Sequence, residues 1–471
     1  MADHSISRAF VPETLGSRCV GVSALTTEPV AWPIRMGRHR PGSTVFSMHT
    51  QSGASPDQTT PAQPRVVIAG GGVAGLEAAL ALADLASDAA EISLISPEPE
   101  FLYKPLTVEE PFTNQPAARM ELAPLLSGIG VKYVGGAVKS VSPELHSIEL
   151  GASGGAVGPS IAYDFLIICI GGRMHPAYER AETFSSSRSD LPVDEMIRKA
   201  ASSPSKTMAL VVPPGTSWPL PLYELALLTR RRSEELGFAD LKLRVYTPED
   251  APLLIFGRPA SDEVNAVLSA RRISVEVGAT VVQADGGELR ILPGGSPLDE
   301  EVVLALPRID GPAVNGIPAD EHGFIPVDEY ARVIGTPDVY AAGDGTSFPV
   351  KQGGLATQQA DVAAEHIAST LGIAIEPTPF RPVLRGQLIT GAESLNLKHE
   401  LTGGHGEGVA SLDYLWWPPQ KIGGRYLAAL LGHEPVRDDL EPPFRGLKVE
   451  VAFPHEWHEE LLSWDAEVRS S

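Results

Sequence analysis

Cysteine is almost absent from this sequence. Of its 471 residues only Cys19 and Cys169 are cysteines, which is too few for a disulfide framework and provides no Cys-X-X-Cys redox pair. Cys19 lies in a Ser/Thr/Pro/Gly-rich start, and Cys169 lies in an apolar strand pattern, where a buried and unreactive thiol is expected. Chemistry carried by paired or reactive cysteines is therefore not expected.

The sequence also lacks basic charge and long apolar runs. It has 59 acidic and 37 basic residues, for a formal net charge of -22, and this negative potential repels nucleic acid and anionic lipid. No run of about 18 apolar residues predicts a transmembrane segment, and no secretory signal is recognisable. We expect a cytoplasmic protein, with peripheral contact to a membrane left open.

The beginning of the chain differs in composition from the rest. Residues 1–63 are rich in Ser, Thr, Pro and Gly and show no sustained period of 2 or 3.6, so they are predicted to be a disordered extension. Met36 and Met48 leave open a later start of translation.

From Arg65 onward, apolar strand patterns alternate with helical ones. Residues 66–69, 76–85 and 92–95 predict a strand, a helix and a second strand, and a similar βαβ pattern begins at residues 208–212. We predict an α/β fold of two Rossmann-like dinucleotide-binding domains, the second inserted into the first, followed by a C-terminal α+β unit. The predicted bounds are 64–185 and 310–375 for the discontinuous first domain, 186–309 for the inserted domain and 376–471 for the C-terminal unit.

A glycine motif, GGGVAG, lies between the first predicted strand and helix. It matches G-x-G-x-x-G in the setting that binds a dinucleotide. Gly70 would permit the tight turn, Gly72 the approach of a pyrophosphate, and Gly75 close packing of helix on strand. Val73 and Ala74 complete the predicted contact, and the helix N-terminus attracts the anion.

The second strand of such a domain often ends in an acid that binds a ribose. Here the strand ends at Ser96, with Glu98 and Glu100 beyond it. Glu98 is the candidate for the ribose contact, and a solvated loop carboxylate is the alternative.

A second motif, TPDVYAAGD, ends at Asp344. A carboxylate that follows a strand and a glycine can accept hydrogen bonds from ribityl hydroxyls, so Gly343 and Asp344 are predicted to bind a flavin chain. Residues 163–172 read YDFLIICIGG, and the turn at Gly171 is predicted to return the chain to the same site. Two separate contact regions predict FAD rather than NAD.

With these motifs the sequence resembles the pyridine nucleotide-disulfide oxidoreductase superfamily over roughly residues 64–375. Residues 101–106, FLYKPL, are similar to the segment that approaches the flavin in type II NADH dehydrogenases and sulfide:quinone reductases. The resemblance implies a flavin contact for Lys104. It also implies an FAD-dependent oxidoreductase that passes electrons from a small-molecule donor to an acceptor, commonly a quinone in both branches.

The second βαβ pattern departs from that superfamily. After its strand, residues 213–224 read PPGTSWPLPLYE instead of a glycine motif. Prolines lack the amide donors that would bind a pyrophosphate, and Trp218 would fill the space of the cofactor, so NAD(P)H binding of the usual kind is not expected. Glu224 matches the glutamate that faces the active site in the NADH dehydrogenase branch, which makes it a candidate catalytic residue; a carboxylate stabilised by the helix dipole is the alternative.

The sequence KQGGLATQQA, which starts at Lys351, begins a helix. In the superfamily this helix points its N-terminus at the flavin pyrimidine ring. The helix N-terminus and the nearby Lys351 would stabilise the negative charge that reduction places there, and Leu355 in the first turn is a candidate for the cofactor contact. By the same resemblance Gln358 fits a quinone-site pattern, although Val362 replaces its second glutamine, and Gln359 is interpreted as solvated.

The C-terminal region contains a helical stripe of Trp457, Leu461, Trp464 and Val468 whose opposite face is acidic. Lipid-binding helices have a basic face, so packing against the body or a second subunit is predicted, and a homodimer stays open. His405 has no partner at ligand spacing, and no metal site is predicted.

Three functions remain open from the sequence. The first is a quinone-directed FAD dehydrogenase. The second is an NAD(P)H-dependent reductase of a small redox protein. The third is a non-catalytic flavin-binding sensor or scaffold that lost turnover together with the second glycine motif.

Overall fold

The computed structural model describes residues 63–113, 116–151, 157–186, 190–401 and 408–432. The predicted extension, apart from its last residue, lies outside this part of the chain, as do His405 and the stripe that contains Trp457. Among the described residues no helix is long and apolar enough to cross a bilayer.

The helices are α1 (Val73–Ala86), α2 (Leu122–Gly128), α3 (Val193–Ser202), α4 (Leu220–Glu235), α5 (Arg258–Ala270), α6 (Gly353–Thr370) and α7 (Leu427–Gly432). The strands are β1 (Arg65–Ala69), β2 (Glu91–Ser96), β3 (Glu100–Leu102), β4 (Arg119–Glu121), β5 (Lys132–Gly135), β6 (Val138–Ser142), β7 (Ser147–Gly151), β8 (Val157–Ala162), β9 (Phe165–Ile168), β10 (Arg173–His175), β11 (Glu182–Thr183), β12 (Thr207–Val211), β13 (Lys242–Tyr246), β14 (Ile273–Glu276), β15 (Thr280–Gln283), β16 (Leu289–Leu292), β17 (Ser296–Pro297), β18 (Val302–Ala305), β19 (Arg308–Asp310), β20 (Val339–Ala341), β21 (Val383–Leu388), β22 (Leu395–Glu400) and β23 (Val409–Ser411).

The first domain is built on a parallel sheet with the strand order β20-β9-β1-β2-β5. Its central strand β1 is buried from Val66 to Ala69, which explains the continuous apolar run in the sequence, because a sheet covered on both faces has no solvated side. Helix α1 connects β1 to β2, and α6 follows β20 and packs against α1. The antiparallel meander β6-β7-β8 precedes the return to β9.

The second domain is inserted between the two parts of the first. Its parallel sheet has the order β11-β18-β12-β13-β14, and its helix α4 is buried over most of its length. The chain enters this domain after β10 and leaves it through β19, and these two strands pair with each other in antiparallel register. Strand β11 already pairs with β18, just before the boundary at residue 185 that the sequence predicted.

The C-terminal unit forms the antiparallel sheet β21-β22-β23. Strand β21 packs against both α4 and α6, and α7 packs against α1. The unit therefore touches both Rossmann-like domains, and the predicted fold class, two such domains and a C-terminal α+β unit, is confirmed.

Candidate active site

A cavity of about 1530 Å³ is lined by residues of both Rossmann-like domains and of the C-terminal unit. Small-molecule sites usually have volumes of roughly 300–1000 Å³, so this cavity has room for more than one ligand. It extends from the turn after β1, across the start of α6, to the loop between β12 and α4 and to strand β21.

The glycine motif after β1 forms one end of the cavity. Gly70 has φ +119°, and a Cβ there would lie 2.2 Å from the Cys169 carbonyl oxygen. A Cβ on Gly75 would lie 1.8 Å from the Gly70 carbonyl oxygen, so only glycine lets α1 approach the turn this closely. Gly72 faces open space and lines the cavity with Val73 and Ala74.

The turn after β20 lies against this motif, since a Cβ on Gly343 would lie 3.3 Å from the Ala74 Cβ. Gly343 has φ +87°, and its backbone N–H donates to Gln359 Oε1 at 2.7 Å. Gln359 is therefore buried, at 3% exposure, and the expectation that it is solvated was wrong, because its side chain satisfies an otherwise orphaned amide of the turn. This bond ties the turn that precedes Asp344 to helix α6.

Asp344 is half-buried and lines the cavity. Burial raises the pKa of its carboxyl, while the positive charges of Lys351 and Lys104 lower it. Within the described part of the chain no residue donates a hydrogen bond to this carboxylate. A partly desolvated acceptor without a protein donor is suited to bind the hydroxyls of a ligand.

Lys351 lies on the same side of the cavity, before α6. Its Nζ donates to the carbonyl oxygens of Thr346 at 2.6 Å and Phe348 at 2.7 Å, and it lies 3.8 Å from the centre of the Phe324 ring. The ammonium group is thus held in one place beside Asp344, and its charge acts at the start of α6.

The first turn of α6 is capped from within. The Gln352 side chain accepts a hydrogen bond from the Leu355 backbone N–H at 2.8 Å. Gln352 and Gly353 line the cavity. Gln358 bonds the backbone of Val383 in β21 through both of its amide atoms. Among the residues that the structure describes, neither Leu355 nor Gln358 lines the cavity. The structure therefore does not bring them into the site.

A buried ion pair forms part of the wall of the cavity. Glu224 of α4 is fully buried, and its Oε2 lies 2.7 Å from Lys421 Nζ. Its Oε1 accepts a hydrogen bond from the Ile389 backbone N–H at 2.9 Å, and Lys421 also donates to the Pro105 carbonyl oxygen at 2.9 Å. Burial raises the pKa of Glu224 to about 7, against the opposing charge of Lys421.

Both members of this pair line the cavity, but sequence reasoning found only Glu224. Lys421 lies nearly 200 residues later in the chain and belongs to no motif. A carboxyl group with a pKa near neutrality can both accept and donate a proton under physiological conditions. The pair is therefore a candidate acid–base group, positioned by helix α4 and by the segment before α7.

The loop between β12 and α4 lies where a second dinucleotide motif would be. Pro213 and Pro214 offer no amide donors there, and the ring of Trp218 packs edge-on against Phe256 with centroids 5.7 Å apart. After β13, where an acid could bind a ribose, Glu249 is buried and accepts hydrogen bonds from the Tyr223 hydroxyl at 2.6 Å and the Leu253 amide at 3.0 Å. The polar groups of a nicotinamide dinucleotide would find few partners at this end.

The remaining predicted contacts lie along the edge of the cavity. Glu98 and Lys104 are exposed and line it. Gly171, with φ +71°, also lines it. Their roles in cofactor binding stay predictions, as do those of the other site residues.

The profile of the pyridine nucleotide-disulphide oxidoreductase family matches residues 41–203 and 234–366, more than half of the chain. The chain belongs to this family. The resemblance inferred from the sequence is thus confirmed. The stretch between the two matched parts, residues 204–233, contains β12, the proline-rich loop and most of α4, which is where the second glycine motif is missing.

Individual members of the family resemble the chain at low identity. It is 24% identical to the alternative NAD(P)H-ubiquinone oxidoreductase C1 of Arabidopsis thaliana, over 68% of this chain and 69% of that protein. The sulfide:quinone oxidoreductase of Aquifex aeolicus matches with a TM-score of 0.64 and 19% identity, over 74% of this chain and 86% of that one. A ferredoxin reductase from Rhodopseudomonas palustris matches with a TM-score of 0.52 and 20% identity, over 73% and 84%. At these identities the solved structures establish a shared fold.

Proposed function

We propose that this member of the family is an FAD-dependent oxidoreductase that passes electrons from a reduced donor to an acceptor, and that the acceptor is a quinone. FAD, when bound, supplies the electron and hydride chemistry. The observation that carries the proposal is one cavity that joins a dinucleotide-binding turn to a buried acid–base pair.

The residues of the cavity fit FAD. Gly72 leaves open space where a pyrophosphate would approach α1, and the N-terminus of that helix carries no capping side chain, so its amides can bind an anion. Asp344 would accept hydrogen bonds from the ribityl chain, and Lys351 would place positive charge beside the redox-active ring.

Glu224 and Lys421 would serve the acceptor. Reduction of a quinone to a quinol consumes two protons, and a carboxyl with a pKa of about 7 can deliver one of them and take up another. The Lys421 ammonium would hold the carbonyl oxygen of the quinone by a charge-assisted hydrogen bond. The name of the curated relative, a ubiquinone oxidoreductase, supports this choice of acceptor.

The donor is proposed not to be NADH bound in the usual way. The proline-rich loop, the packed Trp218 and the internal bonds of Glu249 leave the inserted domain without the partners that such a cofactor uses. A donor that reaches the flavin from the open part of the cavity fits this arrangement better.

Stopped-flow mixing tests the proposal. The purified protein should release FAD, and not FMN, on denaturation. One donor from a panel of sulfide, NADH, NADPH and reduced ferredoxin should bleach the flavin rapidly, and a short-chain quinone should restore its colour. Reoxidation by ferredoxin but not by quinone would favour the reductase of a redox protein. A flavin that responds to no donor would support a sensor or scaffold.

A further inference from the structure

A pair of carboxyl groups lies outside the cavity, between the two helices that begin at it. Glu77 of α1 is fully buried, and its carboxyl interacts directly with that of Asp361 of α6. Two carboxylates that share a buried site repel each other, so one of them favours its protonated form.

The surroundings indicate which carboxyl is neutral. Glu77 accepts hydrogen bonds from the backbone amides of Tyr426 at 2.8 Å and Leu427 at 2.6 Å, and amide donors stabilise an ionised carboxylate. The Oδ1 atom of Asp361 is sealed from solvent and has no hydrogen-bond partner within the described part of the chain. Burial and the charge of Glu77 raise the pKa of Asp361 well above its ordinary value. Burial also raises the pKa of Glu77, to about 7, but its two backbone amide bonds oppose that rise, so Asp361 is the better site for the proton.

Other charged groups lie near the pair. Arg425 lies 2.8 Å from Glu365, and their opposite charges act on Asp361 in opposite directions. On the outer side of α1, Asp84 accepts a hydrogen bond from the Tyr426 hydroxyl at 3.3 Å.

The two amides that Glu77 holds belong to the segment that carries Lys421. The Ile422 backbone N–H donates to the Tyr103 hydroxyl at 2.8 Å. A Cβ on Gly424 would lie 2.9 Å from Glu77 Oε2, so the backbone runs directly against the carboxylate. Residues 421–427 thus span the distance from the cavity to Glu77, fixed at both ends.

We propose that Glu77 and Asp361 share one proton and together form a latch that positions Lys421 beside Glu224. Glu77 is then a positioning residue for the active site, and Asp361 supplies the proton that lets a second carboxyl lie beside it. The inference deepens the proposed function, because the group it positions is the acid–base pair, but its test does not depend on turnover.

Two isosteric substitutions separate the two carboxyls. Asp361→Asn keeps a donor toward Glu77, so the latch should remain. Glu77→Gln removes an acceptor and turns an amide donor toward the two backbone N–H groups, so the latch should open. Hydrogen exchange of the Tyr426 and Leu427 amides, measured on the purified flavoprotein, should become about tenfold faster or more in Glu77→Gln and stay unchanged in Asp361→Asn.

The position of Lys421 is read from the titration of Glu224. The infrared band of its protonated carboxyl, identified by its loss in Glu224→Gln, should titrate at higher pH when the charge of Lys421 moves away. Lys421→Met removes this charge altogether and therefore gives the largest expected shift of the Glu224 titration. Glu77→Gln should move the titration in the same direction, and Asp361→Asn should leave it in place, whether or not the protein reduces a quinone.

A second variant, Gly424→Ala, tests the same segment if Glu77→Gln does not fold. Gly424→Ala leaves both carboxyls but brings a methyl group within 2.7 Å of Thr357 Cγ2, so it should displace the segment and give the same two changes. Unchanged amide exchange in Gly424→Ala would overturn the latch. Faster exchange in Asp361→Asn would overturn the shared proton, and faster exchange without a shift of the Glu224 titration would overturn the positioning of Lys421.

Discussion

The carboxylate of Asp344 should stabilise bound FAD and destabilise the protein without it. Asp344→Asn keeps the shape of the side chain but replaces one acceptor by a donor. A hydrogen bond to a charged acceptor contributes about 1.5–3 kcal/mol, which corresponds to roughly 10- to 150-fold weaker FAD binding when it is lost. Titration of the apoprotein with FAD, followed by flavin fluorescence, measures this change.

The free energy of unfolding of the apoprotein should change in the opposite direction. Burial raises the pKa of Asp344 in the folded protein, so the folded state binds the proton more tightly than the unfolded chain does. The stability from this group is fully present below its ordinary pKa and is lost as the pH rises through the folded pKa. At neutral pH, Asp344→Asn should therefore melt at a higher temperature than the wild-type apoprotein, and this difference should shrink in acid.

The exposed Asp285, which lies outside the cavity, provides the matched control, since Asp285→Asn should change neither quantity. A variant that binds FAD as tightly as the wild type would refute the assignment of Asp344. Weaker binding with a lower apoprotein melting temperature would show that the carboxylate supports the fold rather than the ligand.

Three further outcomes are expected. Lys351→Met should lower the flavin midpoint potential by tens of millivolts. A half-buried charge at a helix end contributes up to about 2 kcal/mol, and about 30 mV corresponds to about 1.4 kcal/mol for two electrons. An unchanged potential in a dye-coupled titration would remove Lys351 from the site. Cys169→Ser should leave the rate of flavin reduction unchanged, because Cys169 is buried and its thiol pKa is raised; a lost reduction step in a folded variant would show a redox role. NADH should reduce the flavin slowly, and saturation at micromolar NADH would contradict the reading of the loop at residues 213–224.

The sequence predicted those parts of the molecule that depend on local pattern. The apolar run of β1, the glycine turn after it and the helix α1 are encoded within about 20 residues, and the structure has them within two or three residues of the predicted bounds. Glu224 was found because a resemblance marked its place on α4. Its partner Lys421 could not be found, because the ion pair exists only once the C-terminal unit packs against both domains.

Helix phase explains the two glutamines of α6. Gln358 and Gln359 are adjacent in sequence, so they point about 100° apart around the helix. The sequence alone did not reveal that the Gln359 side chain bonds the turn at Gly343. Nor did it reveal that the Gln358 side chain bonds the backbone of β21. The hydrogen bonds of Glu249 could not be predicted from the sequence either, since a carboxylate at the end of β13 usually indicates a ribose site. Only the structure shows that the Tyr223 hydroxyl already donates to this carboxylate.

The pairing of β10 with β19 brings the entry and the exit of the inserted domain to nearly the same place. An insertion whose two ends are adjacent can be remodelled as a unit, because its host needs no more than two neighbouring connections. Such an insert can differ from its host without disturbing the sheet of the host. The turn after β1 of the host reads GGGVAG, while the corresponding turn of the insert reads PPGTSWP. In this architecture, one Rossmann-like domain can be remodelled without rebuilding the other.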